Sequence, residues 1–137
     1  MHRPHAPAAT DPANPPDRAA AAAPQAANAD ERTHYLASYL CELSLLEADM
    51  LRFPPSQIAA AAVMLTNRLL GAALWSPTLQ FYTNLRAQDV AALAPLAKLH
   101  AEACSTDFQY AAVRDKYAAG SMCRVALIAP LPAAAML

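Results

Sequence analysis

The chain has 137 residues and a net charge of −1, with 36 alanines inflating an apolar share of 56%. Of its 41 larger apolar residues only Met1 lies in the first 30, so residues 31–137 hold nearly all the capacity to form a core, enough for one domain and no more. Eight basic and eight acidic residues in that stretch exclude a strongly basic nucleic-acid grip, and no apolar run reaches a membrane span of about 18–20 residues.

Residues 1–30 read as a disordered Ala/Pro segment. Pro4, Pro7, Pro12, Pro15, Pro16 and Pro24 interrupt backbone hydrogen bonding, and the Ala19 to Ala23 run is too short to hold a helix alone. From Asp30 the texture changes. Leu36, Tyr39, Leu40, Leu43 and Met50 recur at helical spacing, with Asp30 or Thr33 as the cap. Phe53-Pro54-Pro55-Ser56 ends that helix and opens a second, from Pro55 or Ser56 to Leu70, with Gly71 as its stop. Ile58, Ala62, Leu65 and Leu69 form its stripe. The alanines Ala59 to Ala62 predict a central helix that neighbours approach closely.

Ser76 and Pro77 predict the cap and first position of a third helix carrying Leu79, Tyr82 and Leu85. A fourth is expected from Ala87 to Ala103 on Val90, Leu93, Leu96 and Leu99, with Pro95 bending it or locally breaking its hydrogen-bond ladder. Thr106-Asp107-Phe108-Gln109 has the pattern of a capping box, opening a fifth helix with Tyr110, Val113 and Tyr117 that stops before Gly120. From about residue 121, Pro130 and Pro132 predict a short helical turn and an irregular end. The expected fold is all-α: one five-helix bundle behind a disordered tail.

Chemistry finds few candidates. Cys41, Cys104 and Cys123 show no metal-ligand spacing and read as free thiols of a reducing compartment. His34 lies four residues before Ser38, but no orienting carboxylate or oxyanion donor is evident. Glu42, Glu47 and Asp49 read as solvated charge, with Glu47 and Arg52 able to pair across the turn. His100 reads as partly buried, Arg114-Asp115-Lys116 as surface charge, and Phe53 and Trp75 as staples packed over the neighbouring helix. Two glycines exclude phosphate-cradling loops. No catalytic residue, cofactor site or metal site is expected, so the chain reads as a non-enzyme.

Tyr39-Leu-Cys-Glu-Leu-Ser-Leu-Leu-Glu-Ala-Asp-Met50, followed by Phe53-Pro-Pro-Ser-Gln-Ile-Ala-Ala-Ala-Ala62, resembles the opening of the C-terminal cyclin fold of mitotic A/B-type cyclins. The resemblance continues through Trp75-Ser-Pro-Thr-Leu-Gln80 with Tyr82, Leu93 to Leu99 around Pro95, Val113-Arg-Asp-Lys-Tyr117, and Val125 to Pro130. It covers residues 33–130 and is carried by five pieces in the family's order. The matching positions are Tyr39, Leu40, Glu42, Leu43, Asp49 and Met50; Phe53, Pro55, Ser56, Ile58, Ala59 and Ala60; Trp75, Pro77, Leu79 and Tyr82; and Pro95, Arg114, Lys116 and Tyr117.

This resemblance implies a five-helix cyclin fold and a regulatory or scaffolding partner of a cyclin-dependent protein kinase in cell division, resident in nucleus or cytoplasm. It implies neither nucleic-acid nor membrane binding. The segment before residue 31 does not resemble the N-terminal cyclin box that carries most kinase contact in the family. Gly120, Ser121 and Met122 stand where the family commonly has a lysine and an aromatic. The alternative expectation is therefore a stand-alone or truncated cyclin-like interaction module that does not activate a kinase.

Overall fold

A computed structural model describes the backbone of residues 16–132, and side chains from residue 30. It divides the chain into two compact units, Met1–Asp30 and Glu31–Leu137. Among the described residues there are five α-helices and no strand: α1 Pro16–Ser44, α2 Pro55–Leu69, α3 Pro77–Thr83, α4 Leu93–Ala103 and α5 Ala111–Ala118. Short 3₁₀ turns cover Ala48–Arg52, Ala87–Asp89, Gly120–Met122 and Val125–Leu127.

The helix start expected near Asp30 is corrected: α1 already includes residues 16–30. Alanine has the highest helix propensity, and Pro16 stands at the first position, where no intrahelical donor is required. The expectation for residues 1–15 lies outside the described residues, as does the end of the irregular tail, 133–137.

At its other end α1 stops at Ser44, short of Met50. The Ser44 hydroxyl donates to the Cys41 carbonyl, and the amides of Leu45 and Leu46 tighten onto the carbonyls of Glu42 and Leu43 at 3.1 and 3.0 Å. The 3₁₀ turn that follows still buries Met50. A turn of this kind returns the side chain to the core without continuing the helix.

α2 starts with Pro55 at its first position, as the sequence predicts. It ends at Leu69, and Gly71 then adopts φ +73°, a left-handed conformation that suits glycine. The Asn67 side-chain amide donates to the Leu74 carbonyl at 3.3 Å and closes the turn. Ala60, Ala61 and Ala62 are buried with Met64, Leu65 and Thr66, while Ala59 is exposed and Ile58 only half-buried. The small buried side chains let α4 pack against α2.

In α3 the Ser76 hydroxyl accepts from the Leu79 amide at 3.1 Å, and Pro77 occupies the first position. Asn84 ends the helix with φ 56°, its amide donating to the Gln80 carbonyl at 2.9 Å. Asparagine is among the few residues that adopt this conformation readily. Trp75 Nε1 donates to the Leu85 carbonyl at 2.8 Å, joining the two flanks of α3.

Two expectations fail for local reasons. Residues 87–92 form a 3₁₀ turn and a loop, so α4 begins at Leu93 and Pro95 sits in its first turn. The first helical amide bond there is Leu96 to Ala92, at 3.0 Å. Pro95 therefore removes no donor the helix uses. The capping box also does not form. Ser105 accepts from the Asp107 amide at 3.1 Å, residues 104–110 make a turn, and α5 begins at Ala111 without a side-chain cap.

The core of the second unit combines Leu36, Tyr39, Leu40 and Leu43 of α1 with the buried face of α2. Leu96, Leu99 and Ala103 of α4, Tyr117 of α5, and Val125 complete it.

Candidate functional site

Among the described residues, the strongest convergence of polar side chains joins α5 to α1. Glu42 Oε1 accepts from Lys116 Nζ at 2.8 Å and from the Tyr117 hydroxyl at 2.7 Å. These two donors, with Lys116 first, hold the Glu42 carboxyl below its ordinary range. The Tyr117 hydroxyl is pushed up to about 12, first by burial and then by its bond to Glu42. Lys116 and Tyr117 are neighbours on α5, and both side chains bend to the one Glu42 oxygen.

Arg114 faces another way. Its Nη1 donates to the carbonyls of Ser105 at 2.8 Å and Ala103 at 3.3 Å, satisfying acceptors left open at the end of α4. Of the triplet Arg114-Asp115-Lys116, expected as surface charge, Asp115 and Lys116 are exposed, yet Lys116 still ties α5 to α1 and the half-buried Arg114 ties it to α4. Charge at this spacing looks the same in sequence whether solvated or engaged, so only the fold distinguishes the two.

Beneath the brace lies an aromatic cluster. The Tyr39 ring is 5.3 Å from Tyr117 and 6.3 Å edge-on from His100, centroid to centroid. His100, expected to be partly buried, is 1% exposed. Burial lowers its pKa to about 4, so the ring is neutral near pH 7. Burial likewise pushes the Tyr39 hydroxyl up to about 12. Cys104 Sγ is 4.0 Å from His100 Nε2, but burial raises the Cys104 thiol and so disfavours the thiolate a nucleophile requires. The contact is a sulfur hydrogen bond to a neutral imidazole, not an activated nucleophile.

The family-motif positions fall into three groups. Tyr39, Leu40, Leu43, Met50, Ala60 and Tyr117 are buried. Glu42, Phe53, Ile58, Trp75, Leu79, Pro95 and Arg114 are half-buried. Asp49, Pro55, Ser56, Ala59, Pro77, Tyr82 and Lys116 are exposed. Tyr82 contradicts its expected place on the inner stripe of the third helix: it is 80% exposed, edge-on to Phe81 at 5.3 Å. α3 buries none of its residues: Leu79 is only half-buried, and Leu85, expected on the same stripe, lies beyond the helix end and packs against the core from there.

The expected Glu47–Arg52 pair is also absent among the described residues. Glu47 accepts from the Asp49 amide at 3.4 Å, and the Arg52 guanidinium lies over the Phe53 ring at 4.7 Å. His34 is exposed against Tyr35, and no hydrogen bond joins it to Ser38. Among the described residues, no three His, Cys, Asp or Glu side chains converge to hold a metal ion, and no helix is long and apolar enough to cross a membrane. The arrangement braces a helical surface.

The all-helical order agrees with one family. The model of the cyclin C-terminal domain matches residues 18–131. This chain belongs to the cyclin family. It is 37% identical over 110 residues to the G2/mitotic-specific cyclin-B2 of Gallus gallus, covering 80% of this chain and 28% of that protein. The G2/mitotic-specific cyclin-B of Hydra vulgaris is 38% identical over 103 residues, covering 74% and 28% of the two chains. For the G2/mitotic-specific cyclin-B1 of Oryzias javanicus the identity is 39% over 99 residues, covering 72% and 25%. The chain thus spans little more than a quarter of the cyclins it matches. The family match begins at residue 18, within α1 and ahead of the resemblance read from residue 33.

Proposed function

We propose that this chain acts as a cyclin-family regulatory or scaffolding element for a cyclin-dependent protein kinase in cell-cycle control, in the nucleus or cytoplasm. The observation that carries the reading is the match of the cyclin C-terminal domain over residues 18–131, supported by relatives named as mitotic cyclins. Its mode of action is a rigid helical surface without chemistry of its own. The brace from Glu42 to Lys116 and Tyr117 keeps α5 registered on α1, and the buried alanines of α2 fix the position of α4. In this reading the twenty motif positions serve the fold, with the exposed ones available to partners.

The test is capture from cell extract by the chain tagged at either end, followed by identification of bound kinases. A cyclin-dependent kinase is expected in at least one orientation; capture of none in either would contradict the proposal. A phosphotransfer assay with the isolated kinase then separates scaffolding from activation. Binding without stimulation of phosphotransfer would favour an interaction module over an activator, the alternative implied by the different segment before residue 31.

A further inference from the structure

Two shallow grooves meet on one side of the second unit. One lies between the 3₁₀ turn Ala48–Arg52 and the start of α4; the other continues past the end of α4 to residues 105–110. Glu47, Leu99 and Glu102 line both, so the two form one continuous trough. Its floor is apolar: Met50 and Leu99 are buried, and Leu46 and Phe108 are half-buried.

Its charge is lopsided. Residues 31–137 carry no net charge, yet Glu47, Asp49, Glu102 and Asp107 line the trough against only Arg52 and Lys98. Lys98 pairs with Glu102 at 3.9 Å, and Arg52, over the Phe53 ring at 4.7 Å, keeps its charge, so Glu47, Asp49 and Asp107 face one uncompensated cation. Asp49 and Asp107 have no ion pair among the described residues, and they stand in different halves of the trough. An apolar floor with an unneutralised carboxylate toward each end is complementary to a ligand with an apolar middle and cationic ends.

We propose that this trough binds an extended peptide segment of a partner protein, with apolar side chains at its centre and Arg or Lys toward both ends. The central side chains cover Leu46, Leu99 and Phe108, and the terminal cations reach Asp49 and Asp107. The trough is separate from the kinase proposal, which is tested by a different capture.

The experiment uses the full chain and a fluorescein-labelled octapeptide with two arginines at each end and a Leu-Ala-Leu-Ala centre. Anisotropy measures affinity at low salt, and backbone NMR shifts locate the site. Binding is expected, with shifts concentrated at 46–52, 94–102 and 105–110. Two control peptides, one with glutamate ends and one with arginine ends and a Ser-Gly centre, are each expected to bind at least about tenfold more weakly. The double variant Asp49→Lys/Asp107→Lys is expected to weaken the parent peptide by about tenfold or more, with an unchanged unfolding midpoint. The milder pair Asp49→Asn/Asp107→Asn is expected to lose affinity in the same direction, by less. Failure to bind, shifts elsewhere, equal binding of either control, or undiminished binding by the charge-reversed variant would each overturn the proposal.

Discussion

α2 and α3 begin alike and finish in opposite surroundings. Each has a proline at its first helical position, following a residue in extended conformation. α2 then buries Ala60, Ala61, Ala62, Met64, Leu65 and Thr66, whereas α3 buries none of its seven residues. The start of a helix is settled locally, by a fixed φ and by amides that need no intrahelical partner. Burial is settled by what the rest of the chain brings to that face. α2 has α4 against its small side chains; α3 has a tryptophan bond across its ends and open solvent beyond Phe81 and Tyr82.

The sharpest way to break this contrast is Leu65→Ala in α2. Leu65 is 1% exposed, and its truncation is expected to lower stability by about 2–5 kcal/mol in denaturant titration. Ile58→Ala, on the half-buried edge of the same helix, is expected to lose only about 1 kcal/mol. Equal losses at the two positions would mean that α2 is not covered on the face described.

A pH titration of stability probes the core packed beside α2. The folded pKa of His100, about 4, lies below its ordinary value of 6.5. The unfolded chain therefore binds more protons between those values, and stability falls as pH drops through that window. The expected loss attributable to His100 is about 3 kcal/mol between pH 7 and pH 4. His100→Gln should flatten the portion between pH 7 and pH 5, above the range where carboxylates such as Glu42 contribute. An unchanged slope in the variant would show that His100 is not buried neutral.

Smaller effects are expected at α3. Ser76→Ala removes the acceptor for the Leu79 amide and is expected to cost about 1 kcal/mol, read as a lowered unfolding midpoint. Phe81→Ser, at a side chain 80% exposed, is expected to change stability by no more than about 0.5 kcal/mol. A larger loss there would place Phe81 in a contact and weaken the distinction between the two helices.

Much of this was legible from residue order alone. Ser76 with Pro77, Pro55 and Gly71 specify local geometry through their own backbone and side chains, so their positions were readable without a fold. The all-α class followed from repeated apolar spacing. Three features were not legible for the same physical reason. Whether Thr106 or Ser105 supplies the hydroxyl, whether Pro95 falls inside a helix or in its first turn, and whether Tyr82 faces inward all depend on tertiary packing. Arg114 and Lys116 show the limit most clearly: their partners lie at Ala103, Ser105 and Glu42, and the last is 74 positions away.

The most direct test is native-state hydrogen exchange of the full chain, comparing the amides of Ala60 to Thr66 with those of Leu79 to Thr83. If burial is organised around α2, its amides should exchange through global unfolding, the slowest route available, while α3 opens locally and exchanges at least about tenfold faster. Equal protection of the two helices, or slower exchange in α3, would contradict a core built on α2 with α3 left exposed at its edge.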